Sequence, residues 1–292
     1  IHEARDARAS AMSGEALATS FFSQPVLPKA EPAELLRAVQ ILRRRTGIIL
    51  GEHKMDMAAR TLGLRTRQVG LESVRDYVSM LELDPNAPEW ERFISAFTIN
   101  HTAFFRERHH FAILGDLVRA RRRPVNVWCC AASTGEEPYT IAMTLHDACG
   151  QPEAGLSVTA TDIDVQAIEQ ARKGIYTLDR VKPVPPEFLK RYFLRGSGRQ
   201  AGMAMVKPVL RDIVSFDVLN LVAPQWPFSQ KFDAIFCRNT MIYFDKQTQT
   251  RILERFAPLL KPGGLLFAGH SENFTYLTKA WRLKGQTVYT LA

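Results

Sequence analysis

From Pro124 to the end, short apolar segments of strand length alternate with amphipathic segments of helical period, and few folds accept that pattern. Residues 125–131, 156–161, 213–218, 232–237 and 265–269 read as strands. Residues 136–148, a segment through Ile168 and Ala171, and residues 248–260 read as helices, the last with Ile252, Phe256 and Leu259 inward. Strands alternating with helices imply an α/β fold, a doubly wound and mostly parallel sheet covered on both faces. Residues 281–291 read as two strands about Gly285, a terminal hairpin on that sheet. Residues 176–211 break the alternation with Pro183, Pro185 and Pro186, then Gly196, Ser197 and Gly198, then the apolar run at 203–209. This stretch is expected to be an inserted subdomain, a helix followed by a small antiparallel sheet with a Gly-rich turn.

Before Pro124 the period is helical. Leu35, Leu36, Val39 and Leu42 form one stripe, and Met55, Ala58, Ala59 and Leu62 a second. Val74, Tyr77, Val78 and Leu81 form a third, and Trp90, Phe93, Ile94 and Phe97 a fourth. The expected division is a flexible tail at 1–30 with Phe21 and Phe22 as its anchor, a helical domain at 31–108, a linking helix at 109–123, and an α/β domain at 124–292 carrying the insertion at 176–211. Nine basic residues against three acidic ones fall between Arg37 and Arg75, which places six of the net +8 charges in the helical domain. Such a concentration suits an acidic partner. No apolar run reaches the ~18 residues of a membrane span, and no secretory pattern is visible, so a cytoplasmic location is expected. Cys129, Cys130, Cys149 and Cys237 form no C-x-x-C pair. They read as small core residues, the adjacent two on opposite faces of a strand, and no metal is expected.

Ligands of an open α/β sheet bind at the carboxyl ends of its strands. After the first strand stand Ser133, Thr134, Gly135, Glu136 and Glu137; after the second, Asp162; after the third, Asn220 and Leu221; after the fourth, Arg238, Asn239, Thr240, Met241 and Tyr243. Asn100, Thr102 and Arg106 precede the whole sheet. A carboxylate after the second strand takes both hydroxyls of a ribose, so an adenosine-type ligand is indicated. A dinucleotide would need several glycines after the first strand, whereas this chain has one glycine and two glutamates that repel phosphate. Acidic residues there suit a cationic ligand without phosphate, and S-adenosylmethionine, with an amino group and a sulfonium, fits.

Five runs then carry a specific resemblance: TAFFR at 102–106, AASTGEEPY at 131–139, ATDID at 160–164, FDAIFCRN at 232–239 and GHSEN at 269–273. In this order they resemble the CheR-type chemotaxis receptor glutamate O-methyltransferases, from about Pro32 to the end of the chain. The resemblance implies a class I, Rossmann-like methyltransferase that esterifies glutamate side chains of bacterial methyl-accepting chemotaxis proteins and leaves S-adenosylhomocysteine. It implies that Asn100, Thr102 and Arg106 cover the cofactor from the helical side. Glu137 would hold its amino group, Asp162 the ribose, Asn220 and Leu221 the adenine surroundings, and Asn239 and Thr240 the rest of the pocket. Thr240 stands where the family more often has a small apolar residue, so its contact is expected through the backbone. The insertion resembles the family's β-subdomain, which docks a receptor C-terminal peptide, while the basic helical face would meet the receptor's acidic methylation helices. A monomer is expected.

Arg106 and Tyr243 are the candidates for positioning the acceptor carboxylate, as a cationic fork and a hydroxyl donor. His109 and His110 read as capping or packing groups, and His270 as either an active-site wall or packing. Two other classes remain open on sequence: a nucleic-acid methyltransferase and a non-catalytic S-adenosylmethionine-binding adaptor. The first would want [DN]PP[YF] after the fourth strand, where this chain has NTMIY at 239–243, or a nucleophilic cysteine, commonly after proline, where Cys237 follows Phe236 and lies within the strand. The second shares the pocket motifs, and the presence of Arg106 and Tyr243 speaks against it.

Overall fold

The structure, a computed structural model, describes residues 27–121, 124–150 and 155–292. Most of the expected tail, with Phe21 and Phe22, lies outside the described residues, as do Arg122 and Arg123 of the linking segment.

Four helices come first: α1 (Pro32–Thr46), α2 (Met55–Gln68), α3 (Val74–Leu83) and α4 (Glu89–Phe97). Local signals set their ends. Glu31 and Glu34 form a reciprocal capping box at the start of α1, Pro32 occupies its first turn, and Gly47 stops it at φ 75°. Ser73 caps α3 by accepting from the Asp76 amide. The four apolar stripes meet in a separate core that includes Leu42, Leu62, Tyr77, Leu81, Trp90 and Phe93, except that Leu36 of the first stripe faces solvent, 55% exposed. Five of the nine basic residues of this region, Arg37, Arg43, Arg44, Arg65 and Arg75, pair with acids outside the 37–75 window: Glu82, Asp245, Glu89 and Glu34. The local charge excess is therefore partly neutralised by folding.

The remaining elements are α5 (His109–Ala120), β1 (Asn126–Cys129), α6 (Glu136–Cys149), β2 (Ser157–Asp162), α7 (Val165–Lys173), β3 (Ile175–Thr177), α8 (Leu178–Val181), α9 (Pro186–Tyr192), β4 (Phe193–Arg195), β5 (Met203–Val206), α10 (Pro208–Arg211), β6 (Val214–Val218), β7 (Phe232–Cys237), α11 (Lys246–Phe256), β8 (Leu260–Ala268), β9 (Trp281–Gly285) and β10 (Val288–Leu291). Seven strands form one sheet in the order β6-β2-β1-β7-β8-β10-β9. The pairs from β6 to β8 are parallel, and β10 runs antiparallel to both β8 and β9. The expected doubly wound, mostly parallel sheet with a terminal hairpin is thus what the chain forms. Strand order reverses at β1 and β7, the position where such sheets open a crevice. Cys129 faces the core that holds Phe111 and Tyr139, and Cys130 the opposite core with Trp128 and Phe256, so the adjacent cysteines do point apart.

The insertion is a three-stranded antiparallel sheet in the order β3-β5-β4. One strand, β3, precedes its helices and pairs with β5, an element too short to be read from three residues of sequence. Other differences are local. Asp245 caps α11 at Thr248, and Pro258, which has no N–H to continue the ladder, follows its end, so β8 begins at Leu260. The hairpin turns on Gln286 and Thr287, at φ 51° and 57°, rather than on Gly285. Among the described residues no helix is long and apolar enough to cross a membrane.

Candidate active site

Gly135 opens the crevice. Its φ of 97° favours glycine, and a Cβ there would stand 2.7 Å from the Tyr176 hydroxyl and 2.9 Å from the Ala171 Cβ. This one glycine lets the loop after β1 turn tightly under α7 and start α6. The loop is also tied to the insertion, since the Tyr176 hydroxyl donates to the Thr134 carbonyl (2.8 Å) and Arg180 pairs with Glu136. Ser133 and Asn239, at the ends of β1 and β7, hold φ of 48° and 57°, and Phe105 and Glu107 hold 55° and 56°. Four non-glycine residues in the left-handed region around one crevice are backbone strain that the surrounding contacts must hold in place.

The crevice is an open cleft at the carboxyl ends of the parallel strands. Asn100, Thr102, Arg106, Glu137, Asp162, Asn220, Leu221, Asn239, Thr240 and Tyr243 all line it. The fold therefore brings together every residue named from sequence as a candidate, from the 98–108 loop, α6 and the ends of β2, β6 and β7. Several side chains are committed to the protein's own framework. Asn100 donates to Asp164 (2.6 Å) and accepts from Ser133 (2.8 Å). Asn220 donates to the Arg45 carbonyl (2.8 Å) and accepts from the Val222 amide (3.0 Å), which fastens β6 to α1. The Thr240 amide donates to Glu272 (3.0 Å).

The two ends of the cleft differ in charge. At one end Asp162 accepts from the amides of Ser133 (2.8 Å) and Asp164 (2.9 Å). Burial pushes its carboxyl up to about 6 against the pull of those two donors. At the other end Arg238, its side chain 1% exposed, donates to Glu137 (2.8 Å) and to the Arg106 carbonyl (2.5 Å), and its guanidinium lies 3.3 Å from Glu107. Burial pushes Glu137 upward, and Arg238 opposes that. His110 is buried beside this group, and its ring is lowered to about 4 chiefly by burial, so it is neutral near pH 7. Its Nε2 meets the Gln286 carbonyl (2.9 Å), a packing role, while exposed His270 holds Glu107 (3.1 Å). Two carboxylates thus share one buried guanidinium. Arg106 adds a second positive charge toward Glu137, so the group is close to balanced as it stands.

Tyr243 packs against the helical core, and burial raises its phenol, so it is a neutral donor near pH 7. The Lys54 ammonium stands 5.4 Å from its ring. Among the described residues no cluster of three or more His, Cys, Asp or Glu could hold a metal.

Sequence reading gave no role to Arg238, Glu107, Asp164 or Glu272. Asp164 accepts from Ser95 (2.6 Å), Thr98 (2.6 Å) and Asn100, besides capping α7, and so latches the end of the helical unit onto the sheet. Glu272 accepts from the amides of Asn239, Thr240, Met241 and Gly269 and shapes the loop after β7. A carboxylate two residues after Asp162 and a glutamate in the GHSEN run were the available signals.

Comparison with known proteins agrees with this architecture. Residues 100–290 match the family model described as "CheR methyltransferase, SAM binding domain", and residues 33–98 match "CheR methyltransferase, all-alpha domain". A chemotaxis protein methyltransferase of Klebsiella aerogenes is 50% identical over 279 residues, covering 96% of this chain and 95% of the relative. One of Salmonella typhimurium is 51% identical over 89% of this chain and 90% of its own length. Chemotaxis protein methyltransferase 2 of Pseudomonas aeruginosa is 48% identical over 86% and 90%.

Proposed function

This chain belongs to the CheR methyltransferase family and is an S-adenosylmethionine-dependent methyltransferase of chemotaxis, and from that premise we propose that it esterifies glutamate side chains of bacterial chemotaxis receptors in the cytoplasm. The observation that carries the acceptor assignment is Arg106 and Tyr243 lining the same cleft as Glu137 and Asp162. A planar cation and a neutral phenol beside the cofactor's ends are the donors a carboxylate needs for orientation. In this reading Glu137 takes the cofactor's ammonium and Asp162 its ribose hydroxyls. Asn220 and Leu221 bound the adenine, and Asn100, Thr102, Asn239 and Thr240 close the walls.

The bound cofactor supplies a methyl group on a sulfonium. The acceptor glutamate, with a reference pKa of ~4.3, is already an anion near pH 7, so no side chain has to act as base. One carboxylate oxygen forms the bond to the methyl carbon as the carbon–sulfur bond breaks, and the electron pair of that bond stays on sulfur. The chain's part is to hold the oxygen in line and exclude water. Arg106, anchored by its bond to the His101 carbonyl (2.9 Å), presents its fork, and Tyr243 donates a hydrogen bond. An Arg106 pairing that is too tight would damp the nucleophile, so its role is orientation.

Receptor contact is proposed through Lys54 at the cleft and exposed Arg60, and through strand addition to the small sheet of the insertion. The test is incubation with methyl-labelled S-adenosylmethionine and receptor-containing membranes, followed by mild alkali. Label released as volatile methanol is the expected result, because only a methyl ester behaves so. Label that survives alkali on protein or nucleic acid would overturn the assignment. No incorporation despite cofactor binding would favour a non-catalytic adaptor.

A further inference from the structure

The mouth of the cleft carries two large apolar side chains that folding does not use. Ile49 stands between Ile48 and Leu50, which line the cleft, and is itself 37% exposed. Ile242 stands between Thr240 and Tyr243, which also line it, and is 54% exposed. Neither isoleucine belongs to a hydrophobic core of the described residues. They come from different units, the segment between α1 and α2 and the turn after β7. One backbone bond joins those units here: the Ile49 amide donates to the Tyr243 carbonyl (2.9 Å). Tyr243 is therefore bracketed by two half-exposed isoleucines. Lys54 completes the edge, its ammonium 5.4 Å from the Tyr243 ring centre and without an ion-pair partner among the described residues. Single exposed apolar residues are ordinary on a protein surface. Two fastened together at the edge of an active-site cleft, beside an ammonium, have the make-up of a contact surface.

We propose that Ile49 and Ile242 form a docking lip for the acceptor segment, which takes the apolar side chains one helical turn to either side of the acceptor glutamate. The inference rests on the acceptor assignment made above. With a glutamate carboxylate at Arg106 and Tyr243, the residues that flank it in its own chain lie on the rim around Tyr243. On a helix, side chains three or four positions away stand about 5–6 Å from the acceptor on the same face. Those are the side chains that meet Ile49 and Ile242. Lys54 favours negative charge in the same segment. The partner is thus an amphipathic helix whose acceptor glutamate stands among apolar side chains, with a further acid close by. Charge alone would accept any acidic surface, whereas the lip adds an apolar requirement and so selects among glutamates. Its contribution follows the apolar area that docking removes from water.

The experiment measures initial rates of the full chain on receptor-containing membranes, reading alkali-labile methyl label, beside calorimetry with S-adenosylhomocysteine. Ile242→Ser is expected to raise KM for receptor ~10-fold and Ile49→Ser ~5-fold, with kcat and S-adenosylhomocysteine affinity within ~2-fold. Leu83→Ser, at an 84% exposed position of α3 that does not line the cleft, should change nothing. Raising salt from ~0.05 to ~0.5 M should shrink the KM effect of Lys54→Ala and leave that of Ile242→Ser unchanged, which separates charge from apolar contact. Serine in place of the apolar receptor residues one turn from a methylated glutamate should raise KM for the unaltered enzyme and add little in Ile242→Ser. Lip variants that lower kcat with KM unchanged, or that weaken S-adenosylhomocysteine as much as receptor, would make the lip a mere support for Tyr243 and overturn the proposal. Self-association of the unaltered protein that both variants abolish with KM unmoved would give the lip to a second copy. Binding to receptor-free vesicles that is lost in the same way would give it to lipid. Either result overturns the proposal. Label on receptor with KM unmoved in both serine variants rejects the lip alone. Absence of alkali-labile label from the unaltered protein rejects the acceptor assignment and the proposal with it.

Discussion

The two ends of the cleft are built by different means. At the nucleoside end Asp162 is held by amides, one of them two residues away along the chain and the other in the loop after β1. At the amino-acid end Glu137 is held by a side chain 101 residues further on, which also grips a carbonyl 132 residues before it. The first arrangement follows from strand ends and needs only the sheet. The second exists only when α6, β7 and the 98–108 loop have all docked. On the proposed reading of the cleft, recognition of adenosine would follow from the fold, whereas recognition of the amino-acid arm would depend on a network of ion pairs added across it.

Perturbations should separate the two ends. The largest effect falls outside both: Arg106→Lys should lower turnover on receptor by ~100-fold while S-adenosylhomocysteine and 5′-methylthioadenosine, which lacks the amino-acid arm, bind within ~3-fold, since the charge stays and the fork goes. Steady-state rates beside calorimetry decide this, and full activity would remove Arg106 from its orienting role. Next, Asp162→Asn should weaken S-adenosylhomocysteine and 5′-methylthioadenosine alike, by about 30-fold or roughly 2 kcal/mol, because an amide N–H₂ would face amide donors. Loss confined to the ligand with the arm would erase the proposed division. Acid should act in the same region. Asp162 is ionised above its value of about 6 and takes up a proton below it, so the ribose loses an acceptor as pH falls. With ~10% of the carboxylate ionised one unit lower, 5′-methylthioadenosine affinity should drop ~10-fold at pH 5. Flat affinity from pH 7 to 5 would contradict that. Salt should do least: raising it from 0.1 to 0.5 M should change the ratio of the two affinities by less than ~2-fold, since buried pairs are poorly screened.

What sequence could reveal follows the same line. The alternation after Pro124 and the four helical stripes give the sheet and the helical unit, because periodicity reports one element at a time. Asp162 and Asn239 can be placed in the cleft because a residue at or just past a strand's end has its position fixed by that strand, and Glu137 because it lies in the first turn of the helix that follows β1. Arg238 also ends a strand, yet its partners lie over a hundred positions away, and nothing local marks it as the hub of an ion-pair group. Glu107 is hidden for a further reason: it holds a positive φ, a conformation that glutamate does not advertise. The basic excess of the helical unit was legible as composition, but its pairing with Glu82, Glu89 and Asp245 depends on tertiary packing.

The most direct test is a crystal structure of the chain with S-adenosylhomocysteine bound. The ligand's amino nitrogen should lie within ~3.2 Å of Glu137, with Arg238 still on that carboxylate, and the ribose hydroxyls should lie on Asp162. An amino-acid arm directed away from Glu137, or a ribose that does not touch Asp162, would contradict the division of the cleft into these two ends.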